Sequence, residues 1–500
     1  MKKFYAAILC LVFLCLQAQL IFAQDAEEKM NNEQYEETQE AQEIQETQET
    51  QETQEIQEAS EPDDASPETK SGTIKRFLIA SGETLLTNLI LLPYNIGVKG
   101  TEGWALPTKN SIYNNFTKPW IWEEGDSFLV NHLGHAYHGA YYFSAGRANE
   151  FNFYQSVFFT MLGSSSWEAF GENAQAALND FFSSSIGGMS IGEMLYRIYC
   201  EANSAGVPAF IAFLINPVAG FHRLVTKWEP PDYGRNTYQF QTYLGLGYAN
   251  IDYSLSGSND TSSFKGVFAE LGFSIIYGNP FLQESSIPYE HFELFFSAGT
   301  HIGKYTSTRL VSDGYLLSFC PIDTDANMMS TGLSLHLDFI SQRQADNTDG
   351  TIDHYNNSLD WSVKYQHLFS EDFSFQIKCH AGFTFFGASK FAEPESNLVG
   401  LKNYGTGFNE KLYFILDHKK LGKAEASVFH YVLWSYPRTS RISKGTVNFL
   451  FADLTYSYPI IEHLSVGING FFAWERGHFS NFSDSKKSNK AAKVFVAWNL

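Results

Sequence analysis

The sequence has few cysteines, few basic residues and, after its first residues, no uninterrupted apolar run long enough for a membrane helix. Three of its five cysteines, Cys200, Cys320 and Cys379, lie far apart in the main part of the chain, so they do not make a disulfide framework. Lys and Arg number 34 against 55 Asp and Glu. Because phosphate binding needs a basic surface, this balance argues against nucleic acid as a partner.

The first residues predict export. Lys2 and Lys3 precede an apolar run that ends at Ala23, the layout of a secretory signal peptide over residues 1–23. Residues 24–72 form an acidic Gln-Glu repeat of period three, which predicts a disordered tail. The tail contains 17 acidic and two basic residues, and the signal peptide adds two positive charges. Residues 73–500 therefore carry only −8 of the total charge of −21.

From position 236 onward the chain alternates between apolar and small or polar residues. In "TYQFQTYLGLGY", Tyr238, Phe240, Leu244 and Leu246 alternate with Gln239, Gln241 and glycines, which is typical of a β-strand. The pattern recurs to the C-terminus and predicts twelve strands in residues 236–500. After the first, they are expected near 265–278, 290–304, 313–320, 327–340, 354–368, 372–386, 404–417, 421–436, 445–459, 462–476 and 490–500.

The connections between these strands favour a transmembrane barrel over a soluble sandwich. Long polar segments such as "TSTRLVSD" and "NFSDSKKSNKAA" take turns with short ones such as "SED" and "PIIEH", as in bacterial outer-membrane barrels. The last segment, "KVFVAWNL", is similar to the C-terminal strand by which such barrels are recognised for assembly, with Leu500 in place of the usual Phe. We expect an antiparallel outer-membrane barrel with both ends on the periplasmic side, in contact with lipid and with the barrel-assembly machinery.

Residues 73–235 have a helical period. Segments such as "SFLVNHLGHAYHGAYYFSAG" and "IGGMSIGEMLYRIYCEAN" predict helices, each too short or too interrupted for a membrane span. The predicted fold is thus a helical module followed by a barrel of about twelve strands. Because the barrel begins on the periplasmic side, we expect the helices to form a periplasmic cap or a plug inside the barrel.

Histidines and carboxylates in the helical region suggest a site. His132, His135 and His138 are spaced by three, and Glu168 and Glu172 share one face of a second amphipathic stretch. The functional interpretation joins His135, Glu168, Glu172 and Asp180 in an acid-base site, or His132, His135 and Glu168 around a divalent metal.

Structural interpretations compete with this hypothesis. His138 fits a rim or core position, Glu193 and Arg197 fit an i, i+4 ion pair, and the Glu168 stripe also fits a wetted face. A serine hydrolase based on Ser164 to Ser166 is disfavoured, because that stretch has no Gly-x-Ser-x-Gly motif.

The motifs "NHLGHAYHGAYYFSAGR", "SSSWEAFGE", "LNDFFSSSIGGMSIGE" and "NPVAGFHR" resemble an uncharacterised bacterial envelope family, a domain of unknown function. The resemblance covers about residues 80–230. It implies an envelope-associated protein and no particular reaction. The matching positions are Asn131, His132, His135, Gly139, Arg147, Ser166, Trp167, Glu168, Glu172, Asp180, Gly188, Gly192, Glu193, Asn216, Pro217 and Arg223. Where the family often has Pro after the second histidine, this chain has Ala136.

A second resemblance is to small membrane proteins with His, Glu-x-x-Gln and Asp-x-x-x-Asn-x-x-Gly on successive helices. It matches His135, Glu172 and Asp180, with Ser184 standing where those proteins have Asn. It implies a shared His, Glu and Asp cluster between helices.

Three functions remain open at this point. The first is an envelope role such as transport, lipid handling or scaffolding. The second is a membrane enzyme acting on envelope lipid or glycan through the His, Glu and Asp residues. The third is a surface adhesin that uses the long outer loops. Aromatic residues on both faces of strands such as "ELFFSAG" indicate a lumen filled by side chains or helices, and so disfavour a wide pore.

Overall fold

The computed structural model describes residues 70–99, 106–122, 127–255, 261–281, 284–301, 305–344, 347–390, 402–436, 444–480 and 482–499. The predicted signal peptide, nearly all of the predicted acidic tail, Leu500 and the centres of several predicted outer loops lie outside these ranges.

Twelve antiparallel strands form a closed barrel in which each strand pairs with the next and β12 pairs with β1. This architecture confirms the predicted strand number and direction. The strands are β1 Thr237–Leu255, β2 Thr261–Tyr277, β3 Phe292–His301, β4 Tyr305–Asp323, β5 Asn327–Gln344, β6 Asn347–Ser370, β7 Phe373–Lys390, β8 Lys402–His418, β9 Gly422–Ser435, β10 Gly445–Ile461, β11 Leu464–Phe479 and β12 Phe482–Asn499.

Several strands extend into segments predicted as loops. "TSTRLVSD" belongs to β4, and most of "NFSDSKKSNKAA" belongs to β12. The prediction ended strands where apolar residues stopped, whereas the backbone hydrogen-bond ladder needs no apolar side chains. Ser485 and Lys487 of β12, for example, still pair with Leu255 and Tyr253 of β1.

Contacts between non-adjacent strands identify the side chains that point into the lumen. Lys378 on β7 reaches Glu293 on β3, and Arg309 on β4 reaches Asp453 on β10. These side chains cross the barrel interior. Because successive side chains of a strand point to opposite faces, the alternate positions, such as Leu294 and Leu310, face outward.

Eight α-helices and two π-helical segments precede the barrel in the described part of the chain. The helices are α1 Lys70–Lys99, α2 Lys109–Thr117, α3 His135–Ala148, α4 Phe153–Phe170, α5 Leu178–Phe182, α6 Gly188–Ser204, α7 Ala209–Ile215 and α8 Pro217–Thr226; the π-helical segments are Val130–Gly134 and Ser183–Gly187. None of the helices in the described residues combines the length and the hydropathy needed to cross a membrane.

The helices pack against the outside of the barrel, which differs from both the plug and the periplasmic cap that we expected. One outward residue from each of β2 to β8 belongs to a continuous row of cross-strand neighbours, and all seven residues of this row are buried. This row consists of Phe273, Phe296, Leu310, Phe339, Tyr355, Ala388 and Tyr404.

Helix side chains cover this row directly. The His132 ring stacks on Tyr355 with centroids 4.6 Å apart, and the Phe128 and Phe339 centroids are 5.8 Å apart. The lumen has no room for the helices because charged side chains of opposite walls meet across it, so the apolar surface that can bury them is the outer wall. We call the helices and π-helical segments together the helical layer.

Candidate functional site

The two π-helical segments lie against each other at the centre of the helical layer. A Cβ atom at Gly139 would overlap the carbonyl oxygen of Ser184, and a Cβ at Gly188 would lie 2.6 Å from the carbonyl carbon of Gly139. Only glycine allows this approach. π-Helical turns change the direction of the side chains that follow them and are frequent at functional sites. Here they bring α3 and Ser183–Gly187 together around His135.

His135 contacts a carboxylate and a hydroxyl group. Its Nε2 lies 3.5 Å from Asp180 Oδ1, and its Nδ1 lies 3.2 Å from Ser184 Oγ. Asn179 Nδ2 donates to the same oxygen of Asp180 at 2.8 Å. All four side chains are buried. The structure therefore brings together two of the predicted site residues, His135 and Asp180, and adds Ser184 as their neighbour.

His135 is a neutral imidazole at physiological pH. Burial and the positive charge of Lys402 lower the pKa of His135 to about 4. In the neutral ring one nitrogen donates and the other accepts. With the Nε2 proton directed at the carboxylate of Asp180, the Nδ1 lone pair faces the Ser184 hydroxyl. This arrangement suits His135 to accept a proton from Ser184.

The barrel wall completes this cluster. With its amide oriented to satisfy its neighbours, Asn131 accepts from Lys402 Nζ on β8 at 2.8 Å and from Asn179 Nδ2 at 2.9 Å. His132 Nδ1 lies 3.2 Å from Ser183 Oγ, and burial lowers the pKa of His132 well below its usual value. The cluster thus lies between the helices and the outer surface of the barrel. We call Asn131, His132, His135, Asn179, Asp180, Ser183, Ser184 and Lys402 the interface cluster.

Glu168 and Glu172 belong to a second cluster, near Tyr142. Glu168 Oε2 accepts from the backbone N–H of Ala177 at 2.8 Å, and Glu172 Oε1 accepts from Trp167 Nε1 at 2.5 Å. Burial and both carboxylates raise the pKa of Tyr142. The predicted single site of His135, Glu168 and Glu172 is therefore wrong, because the two glutamates lie in a different cluster from His135. The reason is that Glu168 lies near the end of α4, where it holds the backbone of the following loop.

His138 lies in this second cluster and not beside His135's partners. Its Nε2 is 2.7 Å from the Tyr142 hydroxyl, and its ring meets Trp167 edge-on at 5.3 Å. Burial and the neighbouring His135 lower the pKa of His138 to about 3. These contacts agree with the interpretation of His138 as a packing histidine.

The predicted metal ligands do not converge. Among the described residues, one group of three His, Cys, Asp or Glu side chains has ligand atoms within 4.8 Å of one another, and it consists of His291, Glu293 and Asp313 in the lumen. Lys364 Nζ lies 2.8 Å from His291 Nε2, Glu293 Oε1 and Asp313 Oδ2. An ammonium group therefore holds the position that a metal would take. Neither the predicted ligand set in the helical layer nor this lumen group fits a divalent cation.

Other residues of the predicted family motifs have structural contacts. Glu193 is fully buried between two guanidinium groups, 2.7 Å from Arg147 Nε and 2.8 Å from Arg197 Nε. Gly192 lies against Phe143, where a Cβ would come within 2.8 Å of its side chain. The expected Glu193–Arg197 pair is present, and Arg147 extends it to a triad.

The closing Asn-Pro motif begins a helix. Asn216 caps α8 by accepting from the backbone N–H of Ala219 at 3.1 Å, and Pro217 occupies the first helical position. Arg223 contacts Glu229 at 2.8 Å and the Asn203 side chain. These residues hold α8 beside α6.

Sequence reasoning missed a second buried pair of a histidine and a carboxylate, His222 and Glu83. His222 Nδ1 lies 2.7 Å from Glu83 Oε1, and Asn149 donates to the other oxygen of Glu83 at 2.7 Å. Glu83 and His222 are 139 positions apart, so no local pattern indicates the contact. The same holds for Lys402, which was assigned to a loop.

The barrel lumen is crossed by ion pairs. Lys411 Nζ lies 2.5 Å from Asp338 Oδ2, Lys378 Nζ lies 2.6 Å from Glu293 Oε2, and Lys493 pairs with Glu270. A cavity of about 180 Å³ remains among such pairs. The lumen is therefore polar and filled by side chains.

The barrel has the exterior of a membrane barrel. Outward residues away from the helical layer are apolar and exposed, including Leu244, Leu246, Ile468, Val494 and Val496. Together with the closed antiparallel sheet and even strand number, these features are those of an outer-membrane β-barrel protein.

Solved structures that resemble the chain are bacterial barrels at low similarity. The Pseudomonas putida toluene transporter TodX shares 10% identity over 53% of this chain and 90% of its own, with a TM-score of 0.21. The NanC porin shares 11% over 51% and 100%, with a TM-score of 0.23. The translocator domain of the autotransporter NalP from Neisseria meningitidis shares 11% over 56% and 94%, with a TM-score of 0.21. Matches at this level carry no functional information.

No curated protein matches the sequence. Residues 119–218, which include the interface cluster except Lys402, match the family described as a domain of unknown function, DUF3943.

Proposed function

We propose that this outer-membrane protein handles membrane lipid at the interface cluster, between the helical layer and the barrel wall, and does not conduct solutes through its lumen. The observation that carries the proposal is the position of the cluster. His135 and Asp180 lie against the surface of the barrel that faces lipid in other barrels, beside Lys402 of β8.

In this proposal, the location of the two chain ends of the barrel sets the orientation of the protein in the membrane. In outer-membrane barrels with an even strand number, both chain ends lie on the periplasmic side. The helical layer is connected to the start of β1 through residues 227–236. We therefore place the acidic tail in the periplasm, with the layer rising beside the wall from the periplasmic rim.

The absence of conduction is tested first. We expect the purified protein in a planar lipid bilayer to show no stable current, because ion pairs between opposite walls, such as Arg309 with Asp453, fill the lumen. A steady ohmic conductance from the wild-type protein would contradict this part of the proposal.

Lipid handling is tested by mass spectrometry of envelope lipids. Deletion cells carry the wild-type chain, His135→Ala, Asp180→Asn or, as a matched control one turn along α3, His138→Gln, at equal barrel abundance. We expect wild type and His138→Gln to share one lipid profile, and the other two variants to resemble the deletion. Identical profiles in all strains would reject lipid handling at this cluster.

The contacts of His135 support a second candidate function, hydrolysis of an acyl ester of envelope lipid. In this reaction, Ser184 Oγ adds to the ester carbonyl carbon while His135 Nδ1 takes the hydroxyl proton. The same proton passes to the departing alcohol as the ester C–O bond breaks. Water, deprotonated by His135, then releases the fatty acid from Ser184. Asp180 keeps the imidazole oriented throughout.

A serine-reactive fluorophosphonate probe separates this candidate from passive lipid handling. We expect the wild-type protein and Ser183→Ala to be labelled, and Ser184→Ala and His135→Ala to remain unlabelled. Ser183 is the matched control because it contacts His132 and not His135. An unlabelled wild-type protein, or equal labelling of Ser184→Ala, would exclude the hydrolase while leaving lipid handling open to the lipid profiles.

A further inference from the structure

The outer side of α1, away from the barrel, has an apolar face. Between positions 77 and 93, its exposed large side chains are Phe77, Leu78, Leu85, Leu89 and Ile90, and the other exposed residues there are a glycine and a proline. No charged or polar side chain in that stretch is exposed. An apolar surface of this kind on a folded protein marks an interaction site.

Two polar residues of the same stretch, Glu83 and Asn88, point inward and have partners. Glu83 contacts His222 and Asn149, and Asn88 Nδ2 donates to the Gly163 carbonyl at 3.0 Å and to Ser166 Oγ at 2.8 Å. Ionisable groups of membrane-embedded helices face the protein interior in this way and pair with one another. The polarity of α1 is thus the inverse of that of a helix lying on a soluble protein.

Neighbouring helices continue the apolar face. Exposed aromatic and aliphatic residues are Phe158 and Met161 on α4, Phe210 and Phe213 on α7, and Leu224 on α8. Phe77 of α1 and Phe158 of α4 are in contact, with ring centroids 5.6 Å apart. The face therefore runs across several helices and is not a single exposed side chain.

The barrel wall outside the helical layer also has an exposed apolar surface. The helical layer covers the buried row on β2 to β8, whereas other outward residues, such as Leu246 on β1 and Val496 on β12, stay exposed and apolar. At a barrel surface that faces hydrocarbon, whatever replaces the lipid must itself present apolar groups. We infer that the helical layer is embedded in the outer membrane beside the barrel, with the apolar face of α1, α4, α7 and α8 in contact with lipid acyl chains.

This inference does not rest on the proposed function, because a membrane-embedded layer is compatible with lipid handling, catalysis or scaffolding. It gives the interface cluster a position beside the hydrocarbon. The competing outcomes are that a second copy of this chain or a periplasmic protein covers the same face.

Site-directed spin labelling of the full chain in outer-membrane vesicles tests the inference. Labels are placed singly at Leu85→Cys and Phe213→Cys on the layer, in a background with Cys200, Cys320 and Cys379 replaced by alanine. Leu246→Cys on β1 is the lipid-facing reference, and Lys227→Cys, which is exposed after α8, is the aqueous one. A band that migrates faster without boiling than after it shows that a variant has a folded barrel, and loss of that band shows that it does not.

We expect both layer labels to collide with dissolved oxygen at the rate of the Leu246 label and to be several-fold less accessible than the Lys227 label to a water-soluble nickel chelate. Nickel accessibility equal to that of the Lys227 label would overturn the inference. So would immobile labels shielded from both reagents, which indicate a protein partner on this face. Agreement at Phe213 as well as Leu85 excludes a local effect of one substitution.

Discussion

At the scale of single residues, Gly139 controls how closely α3 approaches the π-helical segment Ser183–Gly187. Replacing it by alanine places a methyl group on the carbonyl of Ser184. We expect Gly139→Ala to destabilise the helical layer by about 1–3 kcal/mol, the range for overpacking a close contact. The measurement is the thermal midpoint of the helical circular-dichroism signal in detergent.

Gly82 is the matched control for this prediction. It lies in α1 with open space around its position, where a Cβ would meet nothing within 4 Å. We expect Gly82→Ala to leave the midpoint unchanged or to raise it, since alanine is favoured over glycine in a helix by up to about 1 kcal/mol. An equal loss in both variants would show that close approach at Gly139 is not the cause.

The Arg147, Glu193 and Arg197 triad is a second residue-scale test. Glu193→Ala leaves two buried guanidinium groups without their carboxylate. We expect a loss of about 3–5 kcal/mol in the stability of the helical layer. The exposed pair of Arg223 and Glu229 is the control, and Glu229→Ala is expected to cost under about 1 kcal/mol. Both are measured by chemical denaturation in detergent, and similar losses would contradict the burial argument.

At the scale of secondary-structure elements, the contact between α5 and β7 reports whether the helices lie outside the barrel. The rings of Phe182 and Phe386 have centroids 5.4 Å apart. In the background with Cys200, Cys320 and Cys379 replaced by alanine, we expect Phe182→Cys with Phe386→Cys to be joined by a short bis-maleimide. The control pair is Phe182→Cys with Phe383→Cys, because Phe383 lies on the same strand and is exposed. We expect this pair to remain unjoined. Efficient joining of the control pair alone would place the helices elsewhere.

At the scale of the whole molecule, the closed barrel predicts a heat-dependent change in gel mobility. We expect the protein to fractionate with the outer membrane and to migrate faster before boiling than after it. The reason is that closure leaves no sheet edge from which detergent can unfold the strands at room temperature. Migration as an ordinary chain in both samples would contradict a membrane barrel.

The barrel and its strand number follow from local pattern. Alternation such as that of Tyr238 to Tyr248 is a property of neighbouring residues, and the side-chain period of a strand is two wherever it lies. The ends of β4 and β12 were less predictable, because pairing continues through polar residues. The contact of Glu193 with Arg197 was also predictable from their helical spacing, and the structure brings together two members of the predicted group of four, His135 and Asp180.

Long-range contacts account for what the pattern did not contain. Glu168 and Glu172 have the spacing of one helix face, but α4 ends at Phe170. Glu168 therefore accepts from the backbone of the following loop, and Glu172 accepts from Trp167. Lys402 reaches the cluster from 267 positions beyond His135. Whether the helices lie inside or outside the barrel depends on which surface of the barrel wall can bury their apolar side chains. That depends on lumen charges from many strands meeting across the interior, which no single stretch of sequence specifies.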